Sequence, residues 1–347
     1  MNISAAETTK LARKSVEGLD EQTSIGNHVG LRGIAAVLPP HSRDLRELDC
    51  SRLLVSDRSA LEELGFEMVH VCDGAHDVGW LALESARLAI TRAEVKPAEI
   101  DVLIWASALS ETHVKEARSA PLTPMEKLLS GFNYRASWLQ EELHLDNARA
   151  LGVAQQGCAG MFNALSIAHA LLFSDPSLTN ILCVGVDALP EAAPREILYN
   201  LISDAGCAVV LSRGNLHCRW RSFHQVSKGY YWNTVEKQKE IIASYFPTSP
   251  AVIRELLTKA GIGATDIRWI LPTGVSKGSW DILADIVSLD PGRIYRTPVN
   301  FGHTIAADNL LHLQSLLESK KSLPGDQLLL FTYGFGSTWC GLILEKV

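Results

Sequence analysis

The sequence has little that points to a nucleic-acid partner or a membrane. Its 32 Lys and Arg against 39 Asp and Glu give a net charge of −7 at pH 7. It therefore lacks the basic surface that a phosphate backbone attracts. The amino-terminal residues Met-Asn-Ile-Ser-Ala-Ala-Glu show no basic segment followed by an apolar run, so no secretory signal is expected. A membrane span needs about 18 consecutive apolar residues without charges. We expect no stretch of that kind in this sequence, and therefore no membrane span. These absences favour a cytoplasmic protein.

Disulfide and metal-site patterns are also missing. Seven cysteines are an odd number, none forms a Cys-x-x-Cys pair, and the 11 histidines include no His-x-x-x-His pair. We therefore expect reduced thiols, no disulfide framework and no bound metal. Three cysteines lie in apolar, strand-like runs and are predicted to fill the core, namely Cys183, Cys207 and Cys340.

The chain does contain an internal duplication. Residues 91–104 match residues 258–271 without a gap, and each segment reads as a helix end, a polar turn and an apolar strand. With 347 residues, 47% hydrophobic and 20% charged, the chain has ample material for a globular core. A helix feeding a buried strand in both halves predicts an α/β fold. We divide the chain into a polar extension (1–27), an amino-terminal half (28–212) and a carboxy-terminal half (213–347).

The first candidate catalytic residue is Cys158, in the segment Gly-Cys-Ala-Gly at 157–160. An apolar run at 149–154 predicts a buried strand before it, and residues 161–173 carry apolar side chains at helical spacing. Cys158 would then lie at the first turn of a helix, where free backbone N–H groups and the helix dipole favour negative charge. A thiol there is expected to lose its proton readily and to act as a nucleophile. The alternative is a small buried residue on a tight turn.

His303 is the candidate base for this nucleophile. Aligning Gly157-Cys158 with Gly302-His303 superimposes two helix starts and also brings residues 171–172 onto 316–317. Two halves related by a pseudo-twofold axis would point both helix starts toward one centre, so that residues 145 positions apart become neighbours. The alternative role for His303 is that of a helix cap.

Asp308 is the candidate partner that orients the His303 ring, with Asn309 as a rival. A carboxylate that accepts one ring N–H fixes the tautomer and favours the imidazolium. Because five residues along a helix span about 140° of rotation, the pairing requires His303 to precede the helix. Otherwise Asp308 would be a surface charge in a first turn.

A glycine loop at 334–338, Gly-Phe-Gly-Ser-Thr, lies between two apolar strand-like runs. Glycines allow a backbone to approach a ligand closely. We predict that the backbone amides of Cys158 and Gly336 form an oxyanion hole for a thioester carbonyl. Loss of one such donor typically costs about 10²–10³-fold in rate. The alternative is an ordinary turn between strands.

Taken together, these motifs resemble the thiolase superfamily, and within it the ketoacyl synthase III branch, over about residues 30–347. The segments that carry the resemblance are 157–160, Ser203-Asp-Ala-Gly-Cys-Ala-Val-Val-Leu211, Phe301-Gly-His-Thr304 and Gly334-Phe-Gly-Ser-Thr-Trp339. The resemblance implies a thiolase fold, five-layered αβαβα with two pseudo-symmetric halves, and a homodimer. It also implies a cysteine that takes an acyl group from coenzyme A (CoA) or a phosphopantetheinyl acyl carrier protein, with no permanently bound cofactor. A narrow apolar tunnel would be lined by loops within residues 110–147 and 190–202.

The sequence departs from condensing enzymes of this branch at two positions. Those enzymes usually carry a histidine after the buried strand of the second half, where this chain has Thr273, and an asparagine in a Gly-Asn-Thr turn, where it has His303. The pattern His303-Thr304-x-x-x-Asp308 resembles a subgroup with a Cys-His-Asp triad. Its members work in natural-product pathways, where they transfer acyl groups or select unusual starter units.

These departures favour an acyltransferase of a natural-product, polyketide-type pathway. Cys158 would accept an acyl group from a thioester, and His303 would then activate an oxygen, nitrogen or sulfur acceptor. The main alternative is a decarboxylative ketoacyl synthase III that selects an unusual starter unit. That reaction needs donors for an enolate oxygen, which paired His and Asn side chains commonly supply in this family. A structural partner in a heterodimer and a Cys-His hydrolase of another fold are the remaining alternatives.

Overall fold

The computed structural model describes residues 28–48, 50–109, 123–190 and 192–347. The proposed extension at 1–27 therefore lies outside the described residues, as do residues 110–122 of the predicted tunnel segment. The described strands are β1 (Val29–Val37), β2 (Ser42–Asp44), β3 (Met68–His70), β4 (Val102–Ala106), β5 (Arg149–Val153), β6 (Asn180–Asp187), β7 (Glu196–Ile197), β8 (Asn200–Leu201), β9 (Ala205–Arg213), β10 (Cys218–Ser227), β11 (Ile267–Leu271), β12 (Gln327–Gly334) and β13 (Thr338–Lys346). The described helices are α1 (Cys50–Leu53), α2 (Arg58–Glu63), α3 (Val78–Ala93), α4 (Pro124–Leu129), α5 (Arg135–Glu142), α6 (Gly160–Ser174), α7 (Thr234–Ala243), α8 (Tyr245–Ala260), α9 (Lys277–Ile286) and α10 (Asp308–Glu318).

Nine of the described strands form one sheet in the order β11-β12-β13-β10-β1-β9-β6-β4-β5. The same plan occurs on both sides of the contact between β1 and β10. In the first half, β1 pairs antiparallel with β9, β9 antiparallel with β6, and β6 parallel with β4. In the second half, β10, β13, β12 and β11 repeat these pairings in the same order. The two halves are therefore copies of one strand arrangement.

Side chains alternate between the two faces of each strand, and helices pack on both faces, which gives five layers. In β6, Ile181 packs into the central cluster together with α6 and α10, whereas Leu182 faces the outer helices α3 and α5. In β12, Leu328 joins the same central cluster and Leu329 faces α8 and α9. Successive strand residues point to opposite faces, so each half-sheet is covered on both sides. This is the αβαβα thiolase fold that the resemblance implied.

The two segments matched in the sequence adopt the same local structure. Helices α3 and α8 each end at a residue with left-handed backbone, Glu94 (φ 52°) and Gly261 (φ 67°). Glu99 and Asp266 each accept a hydrogen bond from the backbone N–H three residues earlier, both at 2.7 Å. The strands β4 and β11 follow directly. The duplication thus extends to individual turn contacts, while the boundary at residues 212 and 213 stays a prediction.

The strand predicted before Cys158 is β5, but its predicted burial was wrong. It lies at the edge of the sheet, and among the described strands it pairs with β4 alone. Leu151 is 42% exposed, and Gly152 is exposed as well. Burial of a strand depends on which neighbours cover it, and an apolar composition does not specify those neighbours. An exposed apolar edge is a surface that other strands can pair with.

The expectation that no apolar stretch reaches the length of a membrane span was also wrong. Gly157–Ser174 has 18 residues with a mean hydropathy of 1.3, and it is the one such segment in the described chain. In the fold this segment is the turn with Cys158 followed by α6, and Phe162, Leu165 and Ala168 are buried in the central layer. Burial accounts for only part of its hydropathy, since 44% of the segment is buried while Ile167 and Phe173 are 40% and 78% exposed.

Candidate active site

Cys158 lies in a 3-10 turn, Gly157–Ala159, directly before α6. Two glycines allow this turn to fit against the loop after β12. Gly157 has a left-handed backbone (φ 50°), and a Cβ there would lie 2.4 Å from the backbone nitrogen of Phe335. A Cβ on Gly334 would lie 2.8 Å from the backbone nitrogen of Cys158. Only glycine fits at these two contacts, which hold the cysteine turn against the glycine loop.

His303 is held in an extended segment before α10, as the pairing with Asp308 requires. Its backbone N–H donates to the carbonyl of Leu201 (2.8 Å), and its carbonyl accepts from the N–H of Ser203 (2.9 Å). The side chain is buried, with Nε2 3.3 Å from the Cys158 sulfur. The two halves of the fold therefore bring together the sulfur and the imidazole that the duplication suggested.

Asp308, the first residue of α10, receives four hydrogen bonds. Its Oδ2 lies 2.5 Å from Nδ1 of His303 and accepts the backbone N–H of Gly274 at 2.6 Å. Its Oδ1 accepts both the backbone N–H and the hydroxyl of Thr304, each at 2.7 Å. A carboxylate so surrounded is charged and fixed in place, and it sets the tautomer of His303.

Asn309, the rival of Asp308, has a different task. Its side-chain amide donates to the carbonyls of Leu271 (2.8 Å) and Phe331 (3.1 Å). These bonds fasten α10 to β11 and β12. Asn309 is therefore a structural neighbour of the site, and the carboxylate at 308 is the group that contacts the imidazole.

The electrostatics of the buried pair favour the charged forms. Burial opposes the imidazolium, but the charges of Asp308 and Cys158 and their hydrogen bonds raise the pKa of His303 well above its usual value. Burial likewise opposes the carboxylate of Asp308, yet His303 and the backbone N–H groups of Thr304 and Gly274 lower its pKa. An imidazolium with its Nε2 proton near the sulfur stabilises negative charge on Cys158.

Thr273 is the position at which the resemblance implied a missing histidine, and its hydroxyl is already engaged. It donates to the carbonyl of Phe331 at 2.8 Å, and the residue is 4% exposed. Its own carbonyl accepts the indole N–H of Trp280 at 3.0 Å. This position therefore offers no hydrogen-bond donor to a substrate at Cys158.

A cavity of about 870 Å³ reaches both Cys158 and His303. Gly336 also lines it, while the part of its amide in an oxyanion hole stays a prediction. Residues 197–200 and Ile202 line the cavity, in agreement with the segment 190–202 named from the sequence. None of residues 123–147 lines the cavity.

No group of three His, Cys, Asp or Glu side chains among the described residues is arranged to hold a metal ion.

Sequence reasoning missed the largest wall of the cavity. It comes from α7, α8 and the residues just before them, and from the start of α9; the main contributors are Trp232, Thr234, Ile241, Ile242, Tyr245, Phe246, Val275, Ser276 and Ser279. The apolar and aromatic residues within 232–246 were a signal of this wall. Their position near Cys158 depends on how α8 packs on β10 and β13, which no local pattern encodes.

Two further features near the cavity were missed. Asp187, at the end of β6, accepts the backbone N–H groups of Ala108 (2.8 Å) and Leu109 (3.2 Å), which line the cavity. Burial outweighs these bonds and raises the pKa of Asp187 to about 7.

The second feature is the tip of the hairpin β7–β8. Leu198 and Tyr199 form this tip, and both have left-handed backbone (φ 48° and 64°). This conformation suits Asn-Gly rather than large side chains, so the tip is strained.

Comparison with known proteins agrees with the fold and with the location of the motifs. Residues 154–229 match the family model of 3-oxoacyl-(acyl-carrier-protein) synthase III, and residues 257–346 match the model of its C terminal part. A relative from Rhizorhabdus wittichii, named beta-ketoacyl-(acyl-carrier-protein) synthase III, is 26% identical over 88% of this chain and 96% of its own length.

Two solved structures share the fold at low identity. One, the acyltransferase ChlB3, has a TM-score of 0.77 at 18% identity; the match covers 92% of this chain and 98% of that chain. The priming β-ketosynthase from the R1128 polyketide biosynthetic pathway has a TM-score of 0.74 at 19% identity and covers 92% and 97%. The fold and the site thus define a thiolase-fold protein. Segments of both halves match synthase III family models, and the chain is similar over most of its length to a protein named as a synthase III; these similarities support an acyltransferase or synthase role.

Proposed function

We propose that this chain is an acyltransferase that works by a ping-pong mechanism through an acyl-enzyme at Cys158. The observation that carries the proposal is the 3.3 Å contact between the Cys158 sulfur and Nε2 of His303, continued to Asp308. One base and one nucleophile are sufficient for two successive acyl transfers. The donor is an acyl thioester of CoA or of a phosphopantetheinyl acyl carrier protein.

In the first transfer, the Cys158 thiolate attacks the carbonyl carbon of the donor thioester. The carbon–sulfur bond to the donor then breaks, and the proton on Nε2 of His303 passes to the departing thiolate. We assign the developing oxyanion to the backbone amides of Cys158 and Gly336. In the second transfer, neutral His303 takes a proton from an O–H, N–H or S–H acceptor as that atom attacks the acyl-enzyme. Cys158 leaves as a thiolate, so the starting ion pair is restored.

Non-decarboxylating transfer is favoured by the surroundings of Thr273. Condensation would generate an enolate oxygen, which needs hydrogen-bond donors placed where its charge develops. The hydroxyl of Thr273 donates to a backbone carbonyl instead, and Asn309 is similarly engaged. The triad can therefore support acyl transfer without supplying a second donor for the enolate.

A decarboxylative synthase that selects an unusual starter unit is the second candidate function. The matches of both halves to synthase III family models favour it. A natural-product pathway is our proposal in either case, since two proteins of the same fold are named as an acyltransferase and as a polyketide priming synthase. We further propose a homodimer, because the exposed apolar edge strand β5 could pair with its symmetry mate.

The test is covalent labelling with acyl thioesters, read by intact-protein mass. Wild-type protein should gain the acyl mass, Cys158→Ala should not, and Cys72→Ala should label like wild type because Cys72 is a second half-buried free thiol outside the triad. Labelling that persists in Cys158→Ala would refute the proposal. Incubating the acyl-enzyme with labelled malonyl carrier protein separates the two functions, since carbon dioxide release with chain extension would favour the synthase.

A further inference from the structure

Aromatic side chains are concentrated at the cavity. Six of the 25 described residues that line it are aromatic, whereas aromatic residues make up 7% of the chain. The concentration therefore does not follow from overall composition. The six residues are Tyr199, Trp232, Tyr245, Phe246, Tyr333 and Phe335.

Three of these rings form a continuous wall that starts beside the sulfur. Tyr333 directly precedes Gly334, whose backbone abuts the Cys158 amide. The Tyr245 ring lies 5.9 Å from the Tyr333 ring at an angle of 59°, and Phe246 follows at 5.1 Å and 80°. Tilted and edge-to-face geometries of this kind leave ring faces and edges available to a further aromatic ring.

Tyr333 is fixed by its own contacts. Its ring stacks on Trp339 at 4.8 Å and 27°, and its hydroxyl donates to the carbonyl of Ile241 at 3.2 Å. The wall is therefore pre-formed before an acyl group arrives. A rigid wall selects for shape, because it cannot adjust to a puckered or branched group without losing its own packing.

Tyr245 differs from Tyr333 in one respect. Its ring lines the cavity, and its hydroxyl makes no hydrogen bond to any residue in the described part of the chain. Burial raises the pKa of Tyr245, so the group remains a phenol with a proton to donate. This hydroxyl is not among the buried side-chain atoms that lack a partner, and Tyr245 is half-buried, so the hydroxyl is open to the cavity rather than sealed in the core. A ligand that enters the cavity can supply the missing partner.

We propose that the acyl group carried by Cys158 is an oxygenated aryl group, a benzoyl-type ring whose oxygen substituent pairs with the hydroxyl of Tyr245. This inference rests on the acyl-transfer function proposed above and specifies its substrate class. The ring packs against Tyr333, Tyr245 and Phe246, and the thioester carbonyl sits at the sulfur. A saturated chain gains apolar burial in the same cavity but neither the ring contacts nor the hydrogen bond.

The experiment compares N-acetylcysteamine thioesters of benzoate, the three hydroxybenzoates, cyclohexanecarboxylate and octanoate. The rate of acyl-adduct formation at Cys158 is read by intact-protein mass. Each rate is divided by that of the same thioester with a small free thiol, since conjugation makes aryl thioesters intrinsically less reactive. We expect benzoyl to exceed cyclohexanecarbonyl and octanoyl by about tenfold, and one hydroxybenzoyl isomer to exceed benzoyl by a further ~10-fold.

Variants at the wall test the assignment of the hydroxyl. Tyr245→Phe should lower the ratio of the best hydroxybenzoyl rate to the benzoyl rate by about tenfold. Tyr230→Phe makes the same chemical change at a tyrosine that lies outside the cavity lining and donates to Glu240, and it should leave that ratio as in wild type. Phe246→Leu should lower the ratio of benzoyl to cyclohexanecarbonyl.

The outcomes distinguish failure of the aryl assignment from failure of the proposed acyl-transfer function. If octanoyl or cyclohexanecarbonyl labels Cys158 as fast as benzoyl, or if Tyr245→Phe leaves the hydroxybenzoyl preference intact, the aryl assignment is wrong while acyl transfer stands. If none of the thioesters labels Cys158 in wild-type protein, the acyl-transfer function itself fails, and the substrate assignment fails with it.

Discussion

Nδ1 of His303 lies 2.5 Å from Oδ2 of Asp308, and both side chains are buried. The same carboxylate is held by Gly274 and Thr304, so its position does not depend on the imidazole alone. This arrangement makes Asp308 the group that fixes the orientation of His303 toward the sulfur.

Replacing this carboxylate should therefore disable acyl transfer. In Asp308→Asn, an amide replaces the acceptor, so the tautomer of His303 is no longer fixed and its imidazolium is no longer stabilised. We expect the rate of Cys158 acylation to fall by about 10²–10⁴-fold. The measurement is single-turnover labelling followed by intact-protein mass. Asp290→Asn, which alters an exposed turn carboxylate, should retain the wild-type rate. Labelling by Asp308→Asn within threefold of wild type would contradict the assigned role.

The same ion pair predicts how stability depends on pH. The pKa of His303 is raised in the folded state, so its stabilising contribution is complete below its ordinary value of 6.5 and is lost as pH rises through the folded pKa. The pKa of Asp308 is lowered, so its contribution is complete above 3.8 and is lost as pH falls through the folded pKa. The difference in unfolding free energy between wild type and Asp308→Asn should be largest between these limits and should shrink toward alkaline pH. Urea denaturation from pH 5 to 9 measures it, and a difference that stays constant to pH 9 would contradict the pairing.

The contribution of Asp187 to stability should change with pH in the opposite direction from that of an ion-paired carboxyl. Burial raises its pKa from 3.8 to about 7, so the neutral form is favoured in the folded protein. That stabilising preference is complete below pH 3.8 and disappears as pH rises toward 7 and beyond, where the folded protein must hold a buried charge. Asp187→Asn should therefore gain stability relative to wild type as pH rises from about 4 to about 7. Urea denaturation across this range is the measurement. A stability difference independent of pH would show that Asp187 is already ionised throughout.

Much of the site was predictable from the sequence because it depends on local signals. Cys158 precedes a helix with an apolar face, and the duplicated pattern placed His303 at the corresponding point of the second half. Asp308 followed from its spacing to that histidine. By contrast, the aromatic wall depends on how α8 packs on β10 and β13, and the exposure of Leu151 depends on β5 having no further neighbour among the described strands. Contacts between elements that are far apart in the sequence produce no periodic pattern in it.

The contact between the two glycine turns gives a prediction for Gly334. A Cβ at this position would lie 2.2 Å from the carbonyl oxygen of Gln156 and 2.8 Å from the nitrogen of Cys158. Backbone on both sides would have to shift, so Gly334→Ala should destabilise the fold by about 1–3 kcal/mol and slow acylation at least tenfold. Thermal unfolding and labelling measure the two effects. Gly74→Ala is the control, because a Cβ there meets nothing within 4 Å. If both variants behave like wild type, the two turns are not packed as closely as the structure indicates.

The strained hairpin tip should lower the free energy of unfolding while its side chains shape the cavity and select among acyl groups. Leu198 and Tyr199 both line the cavity and both adopt left-handed backbone, which large side chains disfavour. The double substitution Leu198→Asn with Tyr199→Gly matches the turn type and should raise the free energy of unfolding by about 1–3 kcal/mol. It also removes two side chains from the cavity wall, so discrimination among acyl thioesters should weaken. Chemical denaturation and competition between two thioesters for Cys158 measure both effects. If stability falls, or if it rises with selectivity unchanged, the strain has no connection with substrate choice.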